Sequence, residues 1–206
     1  VDERLLIKNL EVLKKVEQEA GCRILLATKA FSMYETFPLI AKYLSGVTSS
    51  SLHEARLGYE EMGKEVHIYA AAYKEEEFDE IMKYSNHIVF NSFHQWQKYK
   101  DKVGASEKKI SCGLRINPEY AEVEVELYNP CAPKSRMGIT LKQFKNQDLE
   151  GIEGLHFHAM CEQNSDTLER ILKVVEEKFG SYLYQMKWIN FGGGHHITRE
   201  DYDIEK

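Results

Sequence analysis

Lys29 lies in the run 24–30 (ILLATKA), flanked by Ala27, Thr28, Ala30 and Phe31. A lysine near the end of a buried strand loses hydration, which favours the neutral nucleophilic amine, the chemistry of a Schiff-base lysine. The plainer reading is an ammonium that reaches solvent or pairs with a carboxylate such as Glu54. Gly192, Gly193 and Gly194 follow an apolar run directly. Three glycines allow close backbone approach to a ligand and can aim N–H groups at an anion such as a phosphate, or they make a tight strand-to-helix turn. His156 and His158 alternate with Phe157, so on a strand both imidazoles share a side. With His195 and His196 they could ligate zinc or iron, although no Asp ends an adjacent strand. Arg115 closes another apolar run and needs a partner for its permanent charge. Arg136, in an irregular segment, could hold a substrate carboxylate in a two-pronged grip.

Such residues are useful only where the backbone brings them together. Short apolar runs at 24–30, 46–51, 65–71, 87–92, 110–117, 152–159 and 188–194 have the texture of buried parallel strands. Between most of them lie amphipathic helical stretches, including 74–84, 93–102 and 166–179, at the roughly 30-residue spacing of a βαβ unit. At the N-terminus Leu6, Leu10, Leu13, Val16 and Ala20 mark a helix that stops at Gly21. Ser51 with Glu54 and Ser92 with Gln95 have capping-box form directly after a strand. The alternation predicts an α/β fold, either an open doubly wound sheet or a (β/α)8 TIM-type barrel, and seven strands without a long detour favour a barrel lacking its eighth strand. In both, ligands bind at the carboxyl ends of strands. That rule selects Lys29, residues 48–51, Asn91, Arg115, His156, His158 and the 192–196 segment. One long Pro-containing connection, 118–140, has the length of a functional loop.

The chain has 206 residues, 43% hydrophobic and 29% charged, with a net charge of −6. These values fit one globular domain and exclude disorder, and the negative charge argues against a nucleic-acid partner. No run approaches the ~18 apolar residues of a membrane span. Cys22, Cys112, Cys131 and Cys161 form no C-x-x-C pair, which fits reduced thiols in a cytoplasmic protein.

Taken together, ILLATKAF, GVTSSSLHEARLG, HIVFNS, GLRINP, LYNPCAPKSRMGI, EGLHFHAMCEQ and WINFGGGHHIT resemble the carboxynorspermidine decarboxylases, and the resemblance covers nearly the whole chain. It implies a pyridoxal 5′-phosphate (PLP) enzyme with the alanine-racemase-like barrel of the fold-type III decarboxylases. By motif, Lys29 would carry the cofactor covalently, His158 would stack on its ring, and Gly192, Gly193 and Gly194 would bind its phosphate. Glu54 and Arg115 match positions that shape the surroundings of the lysine and the ring in related ornithine decarboxylases. Thr48 stands where those relatives have an aspartate.

The resemblance further implies decarboxylation of carboxynorspermidine or carboxyspermidine to norspermidine or spermidine, in polyamine biosynthesis, by a homodimer. It places a glutamate for the pyridine nitrogen, and a second, mostly β domain, outside the sequence given. Residues 1–206 are accordingly expected to be a PLP-binding barrel domain truncated at both ends and inactive alone. Two other readings stay open at the sequence level: a single-domain PLP carrier, and a metal-dependent barrel hydrolase built on the histidines.

Overall fold

A computed structural model describes residues 1–197 and 199–206, leaving Thr198, the last residue of the NFGGGHHIT motif, outside the described residues. The chain forms two compact units, residues 1–88 with 106–110, and residues 89–105 with 111–206.

The first unit opens with α1 (Glu3–Ala20). Asp2 caps it by accepting from the Arg4 N–H at 2.9 Å, and Gly21 ends it in the left-handed region at φ 63°. Strands β1 (Leu25–Ala27), β2 (Gly46–Ser49) and β3 (Glu65–Tyr69) pair in parallel, with Leu26 opposite Val47 and Val47 opposite Val66. Along β3 burial alternates: Val66 and Ile68 are buried, and Glu65, His67 and Tyr69 are half-buried. Between the strands run α2 (Phe37–Ile40), α3 (Leu52–Leu57) and α4 (Phe78–Tyr84). Phe37, Ile40, Ala55, Phe78 and Ile81 from these helices are buried with Val47, Val66 and Ile68. The segment after α3 packs so closely on β2 that a Cβ on Gly58 would lie 2.3 Å from Val47 Cγ2. Near the start of β1 the buried Glu17 of α1 accepts from the Ile24 N–H (2.7 Å) and the Ser45 hydroxyl (2.8 Å), so its carboxylate is satisfied where burial alone would be costly. Strand β4 (His87–Phe90) gives its first two residues to this unit and its last two to the next.

The second unit contains α5 (Phe93–Gly104), β5 (Ser111–Arg115), α6 (Leu141–Phe144), β6 (Ile152–His156), α7 (Ser165–Leu183) and β7 (Trp188–Asn190). Here β5, β6 and β7 pair in parallel, placing Arg115 opposite His156 and His156 opposite Asn190. Strand order follows chain order from β1 to β7. Phe144 is fully buried, with ring centroids 5.6 Å from Phe179 and 4.8 Å from Tyr182, which fastens α6 to α7. A Cβ at Gly154 would overlap the Trp188 ring at 2.1 Å, and the indole N–H donates to Ser111 Oγ at 2.8 Å.

All seven expected strands are present, each ending before the apolar run that suggested it. The α/β class with parallel strands is borne out, and seven strands are found among the described residues.

Candidate active site

In the first unit the chemistry-bearing residues gather where β1 and β2 end. Lys29 lies in the turn after β1, exposed, and the expectation of a buried strand lysine is corrected. The strand stops because the N–H groups of Ala30 and Phe31 both turn back onto the Ala27 carbonyl, at 2.9 and 3.1 Å, leaving Lys29 in that turn. Thr28, its neighbour, is tied down: its N–H donates to the Thr48 carbonyl at 3.1 Å, and its hydroxyl, also 3.1 Å from that carbonyl, donates to Glu54 Oε2 at 2.9 Å. The same Oε2 accepts from the Ser50 N–H at 2.7 Å, and Oε1 accepts from the Ser50 hydroxyl at 2.9 Å. Glu54 therefore reaches one residue beyond the expected capping-box partner, while Ser51 Oγ accepts from the Glu54 N–H at 3.3 Å as expected. Its carboxylate welds the end of β1 to the β2–α3 junction, and that junction positions the Lys29 turn.

In the second unit the site is built on the ends of β5, β6 and β7. Arg115 is buried, and its Nη2 donates to the His158 carbonyl at 3.1 Å, a neutral partner where an anion or hydroxyl was expected. Buried His156 places Nδ1 3.0 Å from Asn190 Oδ1 and 3.2 Å from the Asn190 carbonyl. Burial, with the charge of Arg115 and the neighbouring His158, holds its pKa down to about 3, so the ring is neutral. Asn190 Oδ1 also accepts from the Gly192 N–H at 2.8 Å, and the Gly193 N–H donates to His158 Nδ1 at 2.9 Å. Two N–H groups of the glycine turn are thus turned inward, onto Asn190 and His158, and not toward an anion as expected.

The three glycines have different reasons to be glycine. Gly192 (φ 77°) and Gly194 (φ 94°) occupy the left-handed region, and a Cβ would come within 2.5 Å of the Phe157 carbonyl at one and 2.4 Å of the Met160 carbonyl at the other. At Gly193 the nearest atom to a Cβ would be His158 Cε1, at 3.9 Å. That side of the turn is open beside the imidazole, a cradle of the kind a phosphate-bearing cofactor needs.

The loop after β5 is fastened at several points. Asn91, just past β4, accepts from the Gly138 N–H and donates to the Arg136 carbonyl, both at 2.8 Å. The Arg136 backbone is thereby held, while its side chain is exposed at the edge of a cavity of about 330 Å³ shared with Asn91, Ser92 and Gln143. Farther along, Glu122 receives Arg170 Nε and Nη2, each at 2.7 Å, and its backbone carbonyl accepts from Gln163 Nε2 at 2.7 Å. The Arg170 guanidinium brings the Glu122 pKa down to about 2.

The strand-end histidines do not converge on a common point. His195 pairs with the Tyr202 hydroxyl at 2.7 Å, while His156 and His158 engage Asn190 and Gly193. Among the described residues, one group of three brings its ligand atoms within 4.8 Å of one another: Glu65, His67 and His87. Its two imidazoles are stacked face to face, centroids 3.8 Å apart and 17° from parallel, so their in-plane lone pairs cannot meet at one ion. Glu65 is also taken by Arg23 at 2.6 Å.

Sequence reasoning missed Asn190 and Glu122. Asn190 was hidden because the glycines were counted as part of the strand, which ends at Asn190, the last position able to lend a side chain. Glu122 gave no local signal, since its partners Gln163 and Arg170 are more than 40 residues away.

No family model matches the chain. It is 50% identical over all 206 residues to a carboxynorspermidine/carboxyspermidine decarboxylase of Campylobacter jejuni, covering 53% of that protein. It is 40% identical over 205 residues to a carboxyaminopropylagmatine decarboxylase of Synechocystis, covering 52% of it. Its structure matches the crystal structure of carboxynorspermidine decarboxylase complexed with norspermidine from Campylobacter jejuni with a TM-score of 0.88 at 47% identity, over 98% of this chain and 51% of that one. The resemblance read from the motifs is therefore borne out: from end to end this chain is similar in sequence and fold to the carboxynorspermidine/carboxyspermidine decarboxylases, and it spans about half the length of the curated relatives it matches.

Proposed function

We propose that these 206 residues are the PLP-binding domain of a carboxy-lyase that removes carbon dioxide from carboxynorspermidine or carboxyspermidine, serving polyamine biosynthesis in the cytoplasm as a homodimer. The observation that carries the reading is the turn after β7, where Gly193 leaves an open face beside His158 while its neighbours are sterically closed. A relative whose name specifies this decarboxylation, 50% identical along the whole chain, supports the substrate class. That no helix is long and apolar enough to cross a membrane, and that all four cysteines are free, is compatible with the cytoplasmic setting.

When bound, PLP supplies an electron sink for the pair released as the α-carboxylate departs. Lys29 is assigned the amine that holds the cofactor and takes up and returns a proton at Nζ. Its exposure leaves it reachable by an incoming substrate amine. Glu54 holds the side chain of the adjoining Thr28 and the Ser50 N–H. His158 would hold the cofactor ring with its imidazole, whose Nδ1 accepts from the Gly193 N–H. Arg115 secures the His158 backbone by donating to its carbonyl. Arg136 is assigned the substrate carboxylate: its guanidinium is exposed while its carbonyl is anchored by Asn91.

Carbon dioxide release from carboxynorspermidine and carboxyspermidine by the full-length protein, with and without added PLP, tests the assignment. Turnover that depends on PLP and disappears in Lys29→Ala is expected. PLP-independent turnover, or full activity in the variant, would refute it.

A further inference from the structure

We infer that Asn190 is a positioning residue that sets the tautomer of both neighbouring histidines and holds the glycine turn ready for a ligand, an inference resting on the PLP reading above. Asn190 Oδ1 accepts from the Gly192 N–H at 2.8 Å, which identifies that atom as the oxygen of the amide. His156 Nδ1 faces this oxygen at 3.0 Å and the Asn190 carbonyl at 3.2 Å. Both partners are acceptors only, so His156 carries its proton on Nδ1.

One carbonyl oxygen thus gathers a buried imidazole and the first N–H of the turn. With Gly192 so fixed, the next N–H, that of Gly193, donates to His158 Nδ1 at 2.9 Å. An imidazole whose Nδ1 accepts carries no proton there, so His158 is the Nε2–H tautomer. The two histidines therefore hold opposite tautomers, and the link between them runs through Asn190, Gly192 and Gly193. The register agrees: Asn190 is directly opposite His156 on the neighbouring strand, and its carbonyl accepts from the Phe157 N–H at 3.0 Å, so the amide reaches the imidazole and the turn without distortion. As a positioning residue Asn190 is assigned no contact with substrate or the reacting atoms. It acts through His158 and the turn.

The test uses the full-length protein and two substitutions. Asn190→Ala removes the shared acceptor, and Asn190→Asp keeps an oxygen able to accept both bonds. Hydrogen exchange in peptides spanning 189–195 of the PLP-free protein should be slow in the wild type, fast in the Ala variant, and close to wild type in the Asp variant. PLP titration followed by absorbance should show the Ala variant binding about tenfold more weakly, the loss expected when one partly buried donor is left without its acceptor. Unchanged exchange in the Ala variant overturns the inference. So does equally fast exchange in the Asp variant, because the acceptor oxygen would then not be the cause. Fast exchange with unchanged PLP affinity in the Ala variant overturns the positioning role. A wild type that takes up no PLP, with the exchange pattern intact, refutes instead the proposed function and the cofactor half of the inference.

Discussion

Gly193 and Gly194 are adjacent, yet they should answer oppositely to a single methyl group. Gly194→Ala forces an alanine to φ 94° and drives its Cβ to 2.4 Å from the Met160 carbonyl, so a loss of about 2 kcal/mol or more in unfolding free energy is expected. Gly193→Ala meets nothing within 3.9 Å and should melt within about 0.5 kcal/mol of the wild type while weakening PLP uptake, because the added methyl occupies the open face. Denaturant titration of both variants checks the contrast, and equal destabilisation would remove the argument for a ligand-facing Gly193. Residue identity was legible in the sequence wherever chemistry and strand ends coincide: Arg115, His156, His158 and the glycines all lie at strand ends of the second unit. Burial was not legible for Lys29, because the apolar run around it does not reveal that the backbone turns back at Ala27 and ends the strand two residues early.

The elements most exposed to perturbation are the β5–α6 loop and the β3–β4 pair. Asn91 satisfies one loop N–H and one loop carbonyl with a single side chain, so Asn91→Ala should cost about 1–3 kcal/mol and speed hydrogen exchange around Met137 and Gly138. Unchanged exchange there would show that the loop is held elsewhere. On β3 and β4, His67 lies against His87; burial first, and then the charge of His87, bring its pKa down to about 4. The unfolded chain, with histidine near its ordinary value of about 6.5, binds more protons than the native state between those two limits, so stability rises with pH across that interval. Each histidine kept neutral contributes a slope of at most about 1.4 kcal/mol per pH unit, and His156, held at about 3, acts in the same direction. Urea midpoints between pH 7 and 4 should therefore fall steadily, and a flat profile would contradict a His67 kept neutral by burial. Strands were legible as elements because a buried parallel strand is apolar on both faces, whereas α2 and α6, at four residues each, are too short to display a helical period. The Thr140 and Gln143 capping box that starts α6 is a readable local signal that sequence reasoning missed: Thr140 closes the 118–140 connection, and 141–144 carries no other sign of a helix.

For the 206 residues as a whole, the net charge of −6 matters more for encounter than for fold. Under the proposed function the substrate, a carboxylated triamine, carries more positive than negative charge and is drawn to this acidic domain, so kcat/KM of the full-length protein should fall as salt rises from low to physiological ionic strength. A salt-independent value would mean that charge does not guide the substrate. The α/β class was readable from most of the chain, because strand textures recur with helical stretches between most of them and local pattern suffices to specify both. The site was readable only in part, since bonds such as those of His156 to Asn190 and Glu122 to Arg170 join residues 34 and 48 positions apart. The central claim is that Lys29 holds PLP. Borohydride reduction of the full-length protein as purified, followed by peptide mapping, should place one phosphopyridoxyl group on Lys29. A label on a different lysine with Lys29 unmodified, or no label in protein that releases carbon dioxide from carboxynorspermidine, would contradict it.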